Sequence, residues 1–238
     1  MREIAVRTVG DGPRIVMLPG LAVSRYLRRT QDMLATGATV SLIDLPGTGD
    51  APDAPHDLGV AEDCAAVSAW LRSTVDGPVL LTGHSYGALL AARLAAEHSD
   101  LVSALVLASP TVDPAYRSLP RLLVRWLIDS RREPRALRRF QRPEQQRAGM
   151  RRMLSMVWSS LADDPQRWLE KTGIPVTVIR GCRDALSTRE WCESLAHRPA
   201  GQCRTVPGVP HAFPFDHPEP YAAAVRDALV RLMSDGKR

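Results

Sequence analysis

The chain has 238 residues, 45% of them hydrophobic and 24% charged, with a formal net charge of +5. This suits one α/β domain with a modest insertion and a sizeable core, and no apolar run approaches the length of a membrane span. The positive charge is almost wholly arginine, with lysine only at Lys171 and Lys237, and no nucleic-acid-binding motif accompanies it, which argues against a nucleic-acid partner.

The first residues, Met1-Arg2-Glu3-Ile4-Ala5, lack the basic-then-apolar layout of a secretory signal. Glu3–Thr8 alternates apolar and polar residues and predicts an edge strand, closed by the turn Gly10-Asp11-Gly12-Pro13. Arg14–Leu18 is a short apolar run, a buried strand, ending at Pro19-Gly20-Leu21. Ser24–Thr36 has a helical pattern with Tyr26, Leu27, Met33 and Leu34 inward. Thr39–Asp44 is the next strand, followed by the turn-rich Leu45-Pro46-Gly47-Thr48-Gly49-Asp50. Val60, Cys64, Val67 and Leu71 then fall at helical spacing.

Next comes an apolar run, Pro78-Val79-Leu80-Leu81, leading into Gly83-His84-Ser85-Tyr86-Gly87 and out through an alanine-rich helix, Ala88–Ala96. A serine on so tight a strand-to-helix turn needs small neighbours, and Gly83 and Gly87 provide them two residues away on each side. Leu101–Ala108 is a further strand. The alternation so far predicts an α/β fold: a mostly parallel central sheet with helices on both faces.

From Thr111 to Gly173 no strand is legible. Leu119, Leu122, Leu123, Trp126 and Leu127 form one helical stripe. Met150, Met153, Leu154, Val157 and Leu161 form another, with Pro143 placed near a helix start. Between the stripes lie Arg131, Arg132, Arg135, Arg138, Arg139 and Arg142, and about half of the chain's arginines fall in this insertion. The core is therefore expected to comprise residues 1–110 and 174–238, interrupted by a small helical unit, 111–173. Sheet rhythm resumes at Ile174–Arg180, followed by the loop Gly181-Cys182-Arg183-Asp184, a short helix at Arg189–Leu195, a last strand at Cys203–Val206, the loop Pro207–His211, and a closing helix through Tyr221, Val225, Leu229 and Leu232. Cys64, Cys182, Cys192 and Cys203 make neither a CxxC pair nor a metal-ligand spacing. They read as reduced thiols of a cytoplasmic protein, a Cys182–Cys203 contact remaining open. No metal or cofactor is expected.

In parallel sheets, ligands bind beyond the carboxyl ends of the strands. Those ends carry Gly20-Leu21, Asp44, Ser85, Pro110-Thr111, Asp184 and His211. Ser85, Asp184 and His211 are a nucleophile, an acid and a base, in the order that accompanies the G-x-S-x-G elbow. A serine hydroxyl needs a base to take its proton, and the imidazole needs a carboxylate to fix its tautomer. Alternatives stand beside each: Asp113 and Asp216 for the acid, and His217 for the base. His56, His98 and His197 remain unassigned, Asp44 reads as structural, and His84 is expected to pack with its side chain turned away from that of Ser85.

Leu18-Pro19-Gly20-Leu21, Asp44-Leu45-Pro46-Gly47-Thr48-Gly49, Gly83–Gly87, Gly181–Asp184, and Pro210-His211 with Pro218-Glu219 together resemble the α/β-hydrolase superfamily over nearly the full chain, as a capped member with a serine nucleophile. The resemblance implies catalysis by Ser85, Asp184 and His211, and an oxyanion hole from the backbone N–H groups of Leu21 and Tyr86. Pro19 departs from the histidine that many members place before the glycine. The resemblance also implies that 111–173 is the cap, whose Trp126, Trp158 and Trp168 are candidate substrate contacts. The cap arginines are offered either to a substrate carboxylate or phosphate or, as the plainer reading, to solvent.

The activity implied is hydrolysis of a small to medium acyl ester, thioester or lactone through an acyl-enzyme. C–C bond hydrolysis, acyl transfer or a haloperoxidase-like reaction would use the same residues. A non-hydrolytic binder that retains the pocket is the alternative of another class. Dehalogenases and epoxide hydrolases with an aspartate nucleophile are set aside because the elbow carries serine. The partner implied is a small-molecule acyl substrate, and the oligomeric state is not legible.

Overall fold

A computed structural model describes residues 3–55 and 57–235; Met1, Arg2, His56 and Lys237 lie outside them. The strands are β1 (Ala5–Val9), β2 (Arg14–Leu18), β3 (Thr39–Asp44), β4 (Val79–His84), β5 (Val102–Ala108), β6 (Val176–Gly181) and β7 (Gln202–Val206). They form one sheet in the order β1-β3-β2-β4-β5-β6-β7. Only β1, on the edge, runs antiparallel to its neighbour. The expected edge strand is therefore present, starting two residues later and ending one later than its pattern placed it.

The helices are α1 (Arg28–Leu34), α2 (Val60–Thr74), α3 (Tyr86–Glu97), α4 (Leu119–Ser130), α5 (Arg135–Ala162), α6 (Pro165–Glu170), α7 (Arg189–Ala196) and α8 (Pro218–Asp235). Side chains alternate across each central strand. Ile15, Met17, Leu80, Val106 and Ala108 join Leu34 of α1 and Tyr221 and Val225 of α8 on one face. Val16, Leu18, Leu81, Leu105 and Leu107 join α2, α3 and α7 on the other. Strands covered on both faces must be apolar on both, which is why β2, β4 and β5 read as continuous apolar runs rather than alternating ones.

The insertion departs from its periodicity. The second helix begins at Arg135, not near Pro143, which lies inside it. The interruption falls instead at Gly149, whose φ of 76° suits a residue without Cβ. The buried positions of α5 beyond that break are Arg152, Met156 and Ser160, whereas Met150, Leu154 and Trp158 of the apolar stripe are exposed. In α4 only Asp129 is buried, and Leu119, Leu123, Trp126 and Leu127 face outward. Met153 of the second stripe packs half-buried on the core, but the stripes otherwise mark the helices rather than the faces that meet it. Helix α6 has no counterpart in the pattern reading. The four cysteines are free, and the Cys182 sulfur accepts the Gly208 N–H at 2.9 Å. Among the described residues no helix is long and apolar enough to cross a membrane.

Candidate active site

Ser85 follows β4 and precedes α3, with φ 56° and ψ −115°. A non-glycine residue at such angles costs about 1–3 kcal/mol and persists only where surrounding structure enforces it. The enforcement is visible. The Ser85 N–H donates to Ala108 O at the end of β5, at 2.9 Å. A Cβ on Gly83 would lie 2.1 Å from Gly87 O, and one on Gly87 would lie 2.3 Å from Leu18 O. Both glycines thus sit where backbone passes too close for any side chain. Ser85 is half-buried.

The hydroxyl lies 2.9 Å from His211 Nε2, and His211 Nδ1 lies 3.0 Å from Asp184 Oδ2. Asp184 Oδ1 also accepts the N–H groups of Leu186 at 2.8 Å and Ser187 at 2.9 Å. Asp184 is fully enclosed. Burial pushes its pKa up, but the charge and hydrogen bond of His211 and the Ser187 N–H outweigh that, and the net direction is down. For His211, burial pulls the pKa down. The charge of Asp184 and its hydrogen bond prevail, with Asp129 and Glu133 adding to them, and raise it to about 9. The three groups separated in sequence are thus one relay.

The rivals are engaged elsewhere. Asp113 Oδ1 accepts the Ala115 N–H and its Oδ2 accepts the Thr188 hydroxyl. Asp216 and His217 are exposed, and His98 and His197 end α3 and α7. Asp44 accepts the Asp50 N–H at 2.8 Å, a loop-holding role.

His84 is more than packing. Its Nε2 lies 3.0 Å from the His211 carbonyl, which can only accept, so Nε2 carries the proton. Nδ1 is then an acceptor for the Tyr26 hydroxyl at 2.6 Å, and the Tyr26 oxygen accepts the Gly20 N–H at 3.0 Å. Burial, and secondarily His211, lowers the His84 pKa to about 3, which keeps the ring neutral. This chain joins the Gly20-Leu21 loop to the His211 loop. A Cβ on Gly20 would lie 3.7 Å from Ser85 Cβ, so the Leu21 loop borders the serine directly. Tyr86 is the first residue of α3, and its N–H therefore lies at the positive end of that helix.

Neither sequence reading of the arginines covers those that the insertion uses to grip the core. Arg152 is buried and pairs with both Asp63 oxygens, at 2.6 and 2.8 Å. It also donates to Pro46 O and Leu58 O. Asp63 accepts the Tyr86 hydroxyl at 2.7 Å, so this ion pair reaches the residue after the serine. Arg147 donates to Gly49 O and Ala51 O. Trp168 packs α6 on α3, its indole N–H bonded to Asp163 and its ring beneath Arg93 and Lys171. That makes it a packing residue, whereas Trp126 and Trp158 are exposed on α4 and α5.

Ser109 escaped the sequence reading as well. Its hydroxyl donates to the His211 carbonyl at 3.1 Å. Its place at the end of β5 was the available signal. The backbone donors to Asp184 left none.

The profile of the Alpha/beta hydrolase family matches residues 15–224, a span that takes in every strand-end loop of this site. Similar proteins include a pimeloyl-[acyl-carrier protein] methyl ester esterase of Chromobacterium violaceum, 37% identical over 106 residues. That alignment covers 44% of this chain and 40% of that protein. The esterase of the same name from Neisseria meningitidis is 29% identical over 223 residues, 82% of this chain and 70% of its own length. A thermophilic esterase from Thermogutta terrifontis superposes with a TM-score of 0.75 at 20% identity, covering 96% of this chain and 93% of that one, and so shares the fold. With the profile running from β2 into α8, the chain belongs to the alpha/beta hydrolase family.

Proposed function

We propose that the protein is a serine esterase that cleaves a small to medium carboxylic ester through an acyl-enzyme on Ser85. The observation that carries this is the continuous relay from Ser85 Oγ through the His211 ring to Asp184, with 2.9 and 3.0 Å steps. His211 takes the serine proton as the oxygen attacks the ester carbonyl, and Asp184 stabilises the imidazolium. The N–H groups of Leu21 and Tyr86 receive the developing oxyanion. Loss of one such donor costs about 3 kcal/mol of transition-state stabilisation. His211 then gives its proton to the leaving alcohol, and water releases the acyl group by the same steps. The two bacterial relatives are named as methyl ester esterases, which supports a small alcohol as leaving group.

In this reading, residues 111–173 form the cap. Its apolar side chains Leu123, Trp126 and Leu127 on α4, with Trp158 on α5, are exposed and available to an acyl chain. The test is a series of acyl methyl esters and thioesters of increasing chain length, with Ser85→Ala as the blank. Turnover confined to the wild type, together with fluorophosphonate labelling at Ser85, is the expected result. Turnover that survives Ser85→Ala moves the nucleophile elsewhere.

A further inference from the structure

The end of α4 closes over both loops that carry the relay. Asp129, buried, accepts the N–H of Ala185 at 3.0 Å, the residue after Asp184. Glu133, one turn further, accepts the N–H of Ala212 at 2.6 Å, the residue after His211. On either side, Arg125 donates to Ala185 O at 2.5 Å and Arg132 to Arg183 O at 2.6 Å. The second Glu133 oxygen is enclosed and meets no hydrogen-bond partner among the described residues.

We propose that Asp129 and Glu133 act as a pair that clamps the Asp184 and His211 loops to the end of α4 and so positions the relay. The proposal rests on the ester-hydrolase reading of the same site. The two residues are positioning residues, because each acts through the backbone next to a relay member. His211 faces both carboxyls from its loop, while Arg125 and Arg132 point their guanidiniums at the Ala185 and Arg183 carbonyls of the Asp184 loop. From α5, Arg138 reaches Ser130 O beside them. Burial, then the charge of Asp129, raises the Glu133 pKa to about 8 against the pull of the Ala212 N–H and of His211. At neutral pH Glu133 therefore keeps its proton.

Glu133→Gln keeps an acceptor for Ala212 and removes the titration. A carboxyl whose pKa is raised by folding stabilises the fold below its unfolded value. That contribution is lost as pH climbs through the folded value. The wild type is therefore expected to lose melting temperature relative to Glu133→Gln between pH of about 4.5 and 8, with the difference constant above. The acid limb of the fluorophosphonate labelling rate should also move to lower pH in Glu133→Gln, because an anion facing the His211 imidazolium is gone. Glu133→Ala should slow labelling about tenfold to a hundredfold, with Glu133→Gln restoring most of it.

Melting differences flat across that range, with superimposable labelling profiles, overturn the pair. If Glu133→Ala does not fold, the Glu133→Gln comparison decides alone. A wild type that takes no label sinks the ester-hydrolase reading, and the melting comparison still decides the carboxyl pair.

Discussion

His211 sits between opposing influences, and the balance sets when the relay can work. Burial disfavours the imidazolium, yet Asp184 at 3.0 Å and the nearby acidic groups favour it, holding the pKa near 9 rather than the usual 6.5. Only the neutral ring can accept the serine proton. Under the proposed mechanism, activity should therefore be low below this pKa and rise as pH climbs through it. The kcat/KM of an ester substrate measured from pH 5.5 to 10 should show an acid limb well above 6.5. Asp184→Asn should bring that limb down while lowering kcat by roughly 10⁴, because the ring loses both its tautomer control and its countercharge. An ordinary limb near pH 6.5 in the wild type would show that the acidic groups do not govern the ring. His84, neutral by burial, adds no competing charge, and its fixed Nε2–H leaves the His211 carbonyl satisfied from both Ser109 and the His84 ring.

At the level of elements, α5 is attached to the core by polarity rather than by its apolar stripe. Arg152 and Asp63 are almost wholly withdrawn from water, and removal of one partner strands the other charge. Arg152→Ala should lower unfolding free energy by about 3–5 kcal/mol, read from the denaturant midpoint. Replacing both partners by apolar residues, as in Arg152→Met with Asp63→Leu, should recover much of that loss, whereas strictly additive losses would rule out a paired charge. This attachment explains what was legible in the sequence and what was not. The central strands announce themselves because both faces must be apolar, and their ends are marked by Gly, Pro, Ser and Asp at Gly20, Ser85, Asp184 and Pro210-His211. In the insertion, a helix is legible from Met150, Leu154 and Trp158, but its inward face is led by an arginine whose partners lie about 90 positions away. No local pattern encodes that pairing. The same holds for Asp129 and Glu133, which look like solvated charges until the Ala185 and Ala212 N–H groups are seen against them.

On the scale of the whole molecule, stability should be uneven. The sheet is sandwiched between two apolar layers, one carried by α1 and α8 and the other by α2, α3 and α7. Residues 119–142 have few buried side chains, Asp129 in α4 and Leu137 in the start of α5, and neither of these belongs to the two layers. Local opening is cheapest where little apolar surface is buried and backbone hydrogen bonds face water. The turn between α4 and α5 also offers exposed Arg131, Arg132 and Arg135, which are trypsin sites. Limited digestion of the folded protein is therefore expected to cut first between residues 131 and 142, leaving the sheet-forming segments 5–110 and 174–235 associated and protected. Because this stretch carries Glu133 and adjoins Asp129, the nicked protein should lose fluorophosphonate labelling at Ser85 faster than it loses its far-ultraviolet signal. Mass analysis of the first fragments checks the site of cutting, and the labelling time course checks the coupling. First cuts within 174–235, or labelling that persists unchanged after the nick, would mean that the insertion neither opens independently nor steadies the relay.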